Sequence, residues 1–64
     1  MDRELHFAGV DSWGRPVYQD SSGMYWKDVN LGRGTPSLHS ACGNDFDGEP
    51  NMPISGGYKL KVAP

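Results

Sequence analysis

His39 and Cys42 stand three residues apart, and with His6 they are the groups in this 64-residue chain best suited to bind a transition metal or attack a substrate. Zinc asks for four ligands in a tetrahedral arrangement, and one cysteine and two histidines leave at least one position to a carboxylate. The same pair could serve as thiolate and base. Nothing in the sequence supplies a third group to orient the base or a recognisable oxyanion loop, so no catalytic set is complete and the chain reads as a non-enzyme. The simpler expectation for Cys42 is a small buried hydrophobe, with both histidines partly exposed.

A second candidate is the acidic run Asn44-Asp45-Phe46-Asp47-Gly48-Glu49. Its Asp-x-Asp-Gly core resembles the middle of a calcium loop, but the register fails. Placing Gly48 at the invariant glycine puts Gly43 at the first ligand position and Ile54 where a bidentate glutamate belongs. A solvated turn whose carboxylates bond nearby amides explains the run more simply. The alternative reading of the whole chain is therefore a ligand- or metal-binding protein using the loop 44–54, with Asp45, Asp47, His39 and Cys42 as ligands. No cofactor is called for.

The third set is aromatic and basic: Trp13, Tyr18, Tyr25, Trp26 and Tyr58, with Lys27, Lys59 and Lys61. Such a face could stack bases or hold a peptide. In so short a chain most of these rings are expected to build the core. Trp13 is the exception, because it lies within a turn-forming stretch; it either folds down as a lid or stays outside as a contact residue. The binding residues expected from sequence are Trp13, Tyr25, Lys59 and Lys61.

Composition bounds the rest. Six basic against eight acidic residues give a net charge of −2, the wrong sign for a nucleic-acid binder, which needs cations to displace condensed counterions. A lone cysteine cannot form the internal disulfide framework of a small secreted domain. The start Met-Asp-Arg-Glu-Leu-His leads into no apolar segment, and no window approaches the ~18 apolar residues of a membrane span. These features are read as a single cytoplasmic domain, 1–64, with no membrane association. Nine glycines, five prolines and a 36% hydrophobic fraction leave little apolar material for a core.

The elements that must position these residues are mostly strands. Residues 3–10, RELHFAGV, alternate Leu5 and Phe7 with Glu4 and His6, the period of a half-buried strand. Asp, Ser, Gly and Pro within 11–16 call for a reversal, and Pro16 fits a strand's first residue. The strongest signal follows: two runs, 17–20 and 24–29, flank Asp20-Ser21-Ser22-Gly23. That spacing predicts a hairpin with a type I turn and a left-handed Gly23, setting Tyr18 opposite Trp26 and Gln19 opposite Tyr25.

Beyond residue 34, Thr35 as a cap, Pro36 at a first helical position and Gly43 as a C-terminal cap predict a short helical turn. Residues 44–55 carry two interrupting prolines and are expected to be irregular, pinned by Phe46, Met52 and Ile54. In 58–62, Tyr58, Leu60 and Val62 should face inward and Lys59 and Lys61 water; this last strand should pair with the first. The expected fold is mainly β: a small antiparallel sheet, made of a three-stranded meander plus a C-terminal strand, with one short helical turn and a long irregular loop.

The run from Gly9 to Tyr18, GVDSWGRPVY, continuing through Trp26-Lys27-Asp28-Val29-Asn30 and Phe46-Asp47-Gly48-Glu49-Pro50, resembles short uncharacterised proteins of bacterial and phage-type genomes. The resemblance covers about half the chain. It implies a free-standing intracellular protein and brings no activity, cofactor or partner. The expectation from sequence is thus a small non-catalytic interaction module, contacting a protein partner or itself through a sheet edge or an aromatic patch around Trp13.

Overall fold

The computed structural model describes residues 3–61. Their strands are β1 (Arg3–Val10), β2 (Pro16–Asp20), β3 (Tyr25–Asp28), β4 (Leu38–Ala41), β5 (Pro50–Pro53) and β6 (Tyr58–Lys61), with a single 3-10 turn at Cys42–Asn44. They form one sheet in the order β5-β4-β3-β2-β1-β6. The first five run as an antiparallel meander, and β6 lies parallel to β1. The sheet is therefore mixed and larger than the antiparallel one expected.

The first half follows the sequence pattern closely. β1 has the expected bounds, Pro16 opens β2, and Tyr18 sits opposite Trp26 and Gln19 opposite Tyr25. Gly23 takes φ 92°, and its N–H closes the turn on the Asp20 carbonyl. Positive φ costs glycine nothing because no Cβ meets the preceding carbonyl.

Three expectations for the second half are corrected. The segment carrying the helix signals is strand β4, because Leu38 and Ser40 face Asp28 and Trp26 across the ladder and fill an inward row. Gly43 does adopt the left-handed conformation, φ 65°, but inside the 3-10 turn that follows a strand. Residues 50–53, expected to be irregular, form edge strand β5, where two of four residues are proline; an edge tolerates the missing donors. Finally, β6 pairs with β1 as expected but in parallel, Leu60 beside Leu5. Val62 lies outside the described residues.

The connection from β5 to β6 shows how the sheet is shaped. Ile54 continues the β5 line by donating its N–H to the Leu38 carbonyl, and Tyr58 already pairs with Arg3. Four Cα steps reach roughly 14 Å at most. In a flat sheet the two edges would stand five spacings, about 24 Å, apart. The sheet must therefore curl until its edges approach, and residues 54–57 cross the concave side. Leu5, Tyr18, Trp26 and Leu38 form the core there, with Ile54, Tyr58 and Leu60 packed against them.

The opposite face is covered too. Val17, Lys27 and Ala41 are buried on it, beneath the loop 42–49. Phe46 from that loop meets the Tyr25 ring edge-on at 5.7 Å and lies over Gly9, where any Cβ would come within 3.1 Å of the ring. Asn44 closes the loop onto the hairpin: its Oδ1 accepts the Tyr25 N–H and its Nδ2 donates to the Gly23 carbonyl.

Candidate functional site

β2 and β3 each end in an aspartate and β1 is followed directly by one, Asp11; each organises the loop that follows. Asp11 accepts the N–H groups of Trp13 and Arg15, Asp20 those of Ser22 and Met24, and Asp28 those of Asn30 and Gly32. In all three the backbone carbonyl of the aspartate also accepts the N–H three residues on, from Gly14, Gly23 and Leu31. Asparaginyl and aspartyl side chains favour this geometry because their oxygens reach amides two residues ahead. Asp28 adds a bond from the Ser37 N–H, which holds both ends of the long 29–37 loop.

All three carboxylates are buried. Burial alone would push the Asp20 carboxyl up; hydrogen bonds from Trp26 Nε1, the Ser22 hydroxyl and the Met24 and Ser22 amides outweigh it and hold it down at about 2. Asp11 is likewise lowered. Burial opposes ionisation there, and the Lys27 ammonium with the Arg15 and Trp13 amides overcomes it.

By sequence Lys27 stands with Lys59 and Lys61 among the aromatic and basic residues that could build a binding face; in the structure it lies on the face of the sheet opposite Trp26. That face is covered by the 42–49 loop, so Lys27 is completely buried: its Nζ lies 2.7 Å from Asp11 Oδ2 and also donates to the Phe46 carbonyl. Arg15 adds a second cation, its Nη1 3.6 Å from the same carboxylate oxygen. Asp47 Oδ1 accepts the Ser12 N–H and ties the same loop to the acidic one. The assembly has the charged character of a site; Asp11, Lys27 and Asp47 are spent on holding loops together, while the buried Arg15 Nη1 makes no hydrogen bond among the described residues.

The loops β1–β2 and β3–β4 leave the sheet at the same end, since β1 and β3 run the same way. They meet where Gly32 packs beside Pro16. This end is apolar and open. Trp13 is 65% exposed, with the Arg15 guanidinium 5.9 Å from its ring centre, and Val10, Val29 and Leu31 are also exposed. Leu31 holds φ 57°, a conformation that costs a residue with a Cβ roughly 1 kcal/mol. A branched apolar side chain is thus kept outside, in a strained turn, at the end of the sheet that also carries the exposed Trp13.

The other expected site residues are scattered. Tyr25 is half-buried against Phe46 at the start of β3, and Lys59 and Lys61 are exposed on β6, beyond β1. The proposed ligand set does not assemble: among the described residues no group of three histidines, cysteines or acids could hold a metal ion. Asp45 instead accepts the Asp47 amide at 3.3 Å, and His39 Nδ1 lies near the Ser37 carbonyl. Cys42, expected to be buried, is exposed, because the 3-10 turn carries it off the end of β4. Among the described residues no helix is long and apolar enough to cross a membrane.

Fold and surface together define a small β-domain whose loops are tied by buried aspartates and which exposes Val10, Trp13, Val29 and Leu31 at one end. No protein-family model, curated protein or solved structure matches this chain.

Proposed function

We propose that this protein is a small non-catalytic interaction module that contacts a protein partner, or a second copy of itself, through the loop end carrying Trp13 and Leu31. The supporting observation is the distribution of apolar groups. Among the described residues six hydrophobic ones are buried, whereas seven large ones, Trp13 and Leu31 among them, are exposed. A domain this short of core material gains from each ring it covers, so leaving an indole outside has a cost that a partner offsets. The strained Leu31 adds a second such cost at the same end.

The test uses the fluorescence of Trp13, since Trp26 is buried and contributes a constant background. Concentration-dependent sedimentation with a blue shift of Trp13 emission is expected if the partner is a second copy. If the partner is another protein, peptides selected from a random library on the immobilised domain should lose binding to Trp13→Ala while far-ultraviolet spectra stay unchanged. A strict monomer whose selected ligands bind Trp13→Ala equally well would refute the reading.

A further inference from the structure

The sheet has two edges, and they are unlike. β5 is blunted: Pro50 and Pro53 lack amide hydrogens, and its pairing with β4 is interrupted by a bulge between His39 and Ala41. β6 contains no proline, and among the described residues no strand pairs with its outer side.

The orientation of the β6 backbone follows from one bond. Gly57 turns its carbonyl toward β1, where it accepts the Arg3 N–H. Backbone groups alternate along a strand, so Lys59 and Lys61 also hydrogen-bond toward β1, and Tyr58 and Leu60 direct their N–H and C=O groups to the open side. The side chains alternate in the other sense. Tyr58 and Leu60 lie over the core face, and Lys59 and Lys61 stand exposed on the opposite face. Neither lysine has an ion-pair partner among the described residues; Glu4, beside Lys59 on β1, lies 3.6 Å from His6 instead.

Resting on the reading of the protein as an interaction module, we propose that β6 accepts an extended segment of another polypeptide in which acidic and apolar residues alternate. The added strand would take the Tyr58 and Leu60 backbone bonds, extend the apolar row of Tyr58 and Leu60 on one side, and set carboxylates against Lys59 and Lys61 on the other. Charge disfavours a second copy as the occupant. Antiparallel pairing about a two-fold axis at Lys59 sets that lysine against itself, and an axis at Leu60 sets Lys59 against Lys61; like charges directly opposed are destabilising. The registers that pair the most of β6 with itself thus oppose lysines, whereas an acidic strand complements them.

The probe is a capped six-residue peptide alternating glutamate and valine, titrated into the intact protein and followed by amide shifts and hydrogen exchange. Protection of the Tyr58 and Leu60 amides is expected, with binding weakened by salt. A peptide alternating lysine and valine should bind about tenfold more weakly, a difference near 1.4 kcal/mol. The double variant Lys59→Glu with Lys61→Glu should invert that preference. Equal binding of the two peptides, shifts confined to residues away from β6, or no binding of the acidic peptide at millimolar concentration would each overturn the proposal. Binders that depend on Trp13 but leave β6 unshifted would overturn it while keeping the interaction reading; loss of Trp13-dependent binding with intact β6 pairing would do the reverse.

Discussion

Replacing Lys27 by methionine isolates the contribution of the buried ion pair. Methionine keeps most of the apolar stem, so little cavity is opened, but the ammonium that faces Asp11 at 2.7 Å is gone. Both side chains are completely buried, so the Asp11 carboxylate stays in the interior without its closest cation, and the Phe46 carbonyl loses its donor. Breaking such a pair from one side costs about 3–5 kcal/mol. The Arg15 guanidinium at 3.6 Å remains, which places the expected loss near the low end, about 3 kcal/mol. A chain of this length is stable by roughly 3–10 kcal/mol, so the variant should lie near its unfolding threshold, with a Tm lower by about 12–24 °C. Urea titration followed by Trp26 fluorescence measures the change. Adding Asp11→Asn should cost less in the Lys27→Met background than alone, because the stranded charge is then removed. A Lys27→Met variant within about 0.5 kcal/mol of the parent, or strictly additive losses in the double variant, would refute the reasoning.

Acid should unfold the protein through the same aspartates. The Asp20 carboxyl is held at about 2 against an ordinary 3.8, so its charged form is favoured by folding; the stabilisation, about 2 kcal/mol, is present above about pH 4 and is lost as pH falls through about 2. Asp11 shifts in the same direction, and a circular-dichroism titration that stayed flat across that window would contradict both. Gly48→Ala should destabilise by on the order of 2 kcal/mol, because a Cβ there would lie 2.5 Å from the Cys42 carbonyl oxygen and force the 42–49 loop open. The check is a chemical denaturation curve, alongside faster hydrogen exchange at Tyr25, whose amide that loop caps.

The hairpin and the alternation of β1 and β6 were legible because each is specified locally, by turn residues or by period-two patterning. What the sequence could not supply was set by distant neighbours. Thr35, Pro36 and Gly43 are genuine helix-boundary signals, but the segment between them is too short to outweigh ladder bonds to β3. Periodicity gives β6 its faces without its direction, so the parallel pairing was invisible. The burial of Lys27 was not legible because nothing in residues 25–29 announces that residues 42–49 will lie over that side. The clue to Lys27 was indirect: Asp11-x-x-Gly14 and Asp20-x-x-Gly23 repeat one spacing, and a buried aspartate at a strand end calls for a cation or amides nearby. The candidate ligands failed for the same reason. His39, Cys42, Asp45 and Asp47 are close in sequence, yet a strand end, a 3-10 turn and local amide bonds send them apart.

The recurrent aspartates also bear on why an indole can be left outside. Each one fixes several loop amides, which lowers the disorder the core would otherwise have to overcome when the chain folds. Loops closed in this way depend little on apolar plugs, and that releases Trp13, Leu31, Val29 and Val10 from packing duty. It also means that the loops displaying them are already ordered before any partner arrives, so little conformational entropy is lost on contact. The polar anchors beneath the loops and the apolar groups above them are therefore one arrangement: the Asp11 carboxylate that bonds the Trp13 amide is the same one that Lys27 neutralises from below. A change at Lys27 should reach the Trp13 surface through that single carboxylate, which physically connects the buried pair to the proposed contact end.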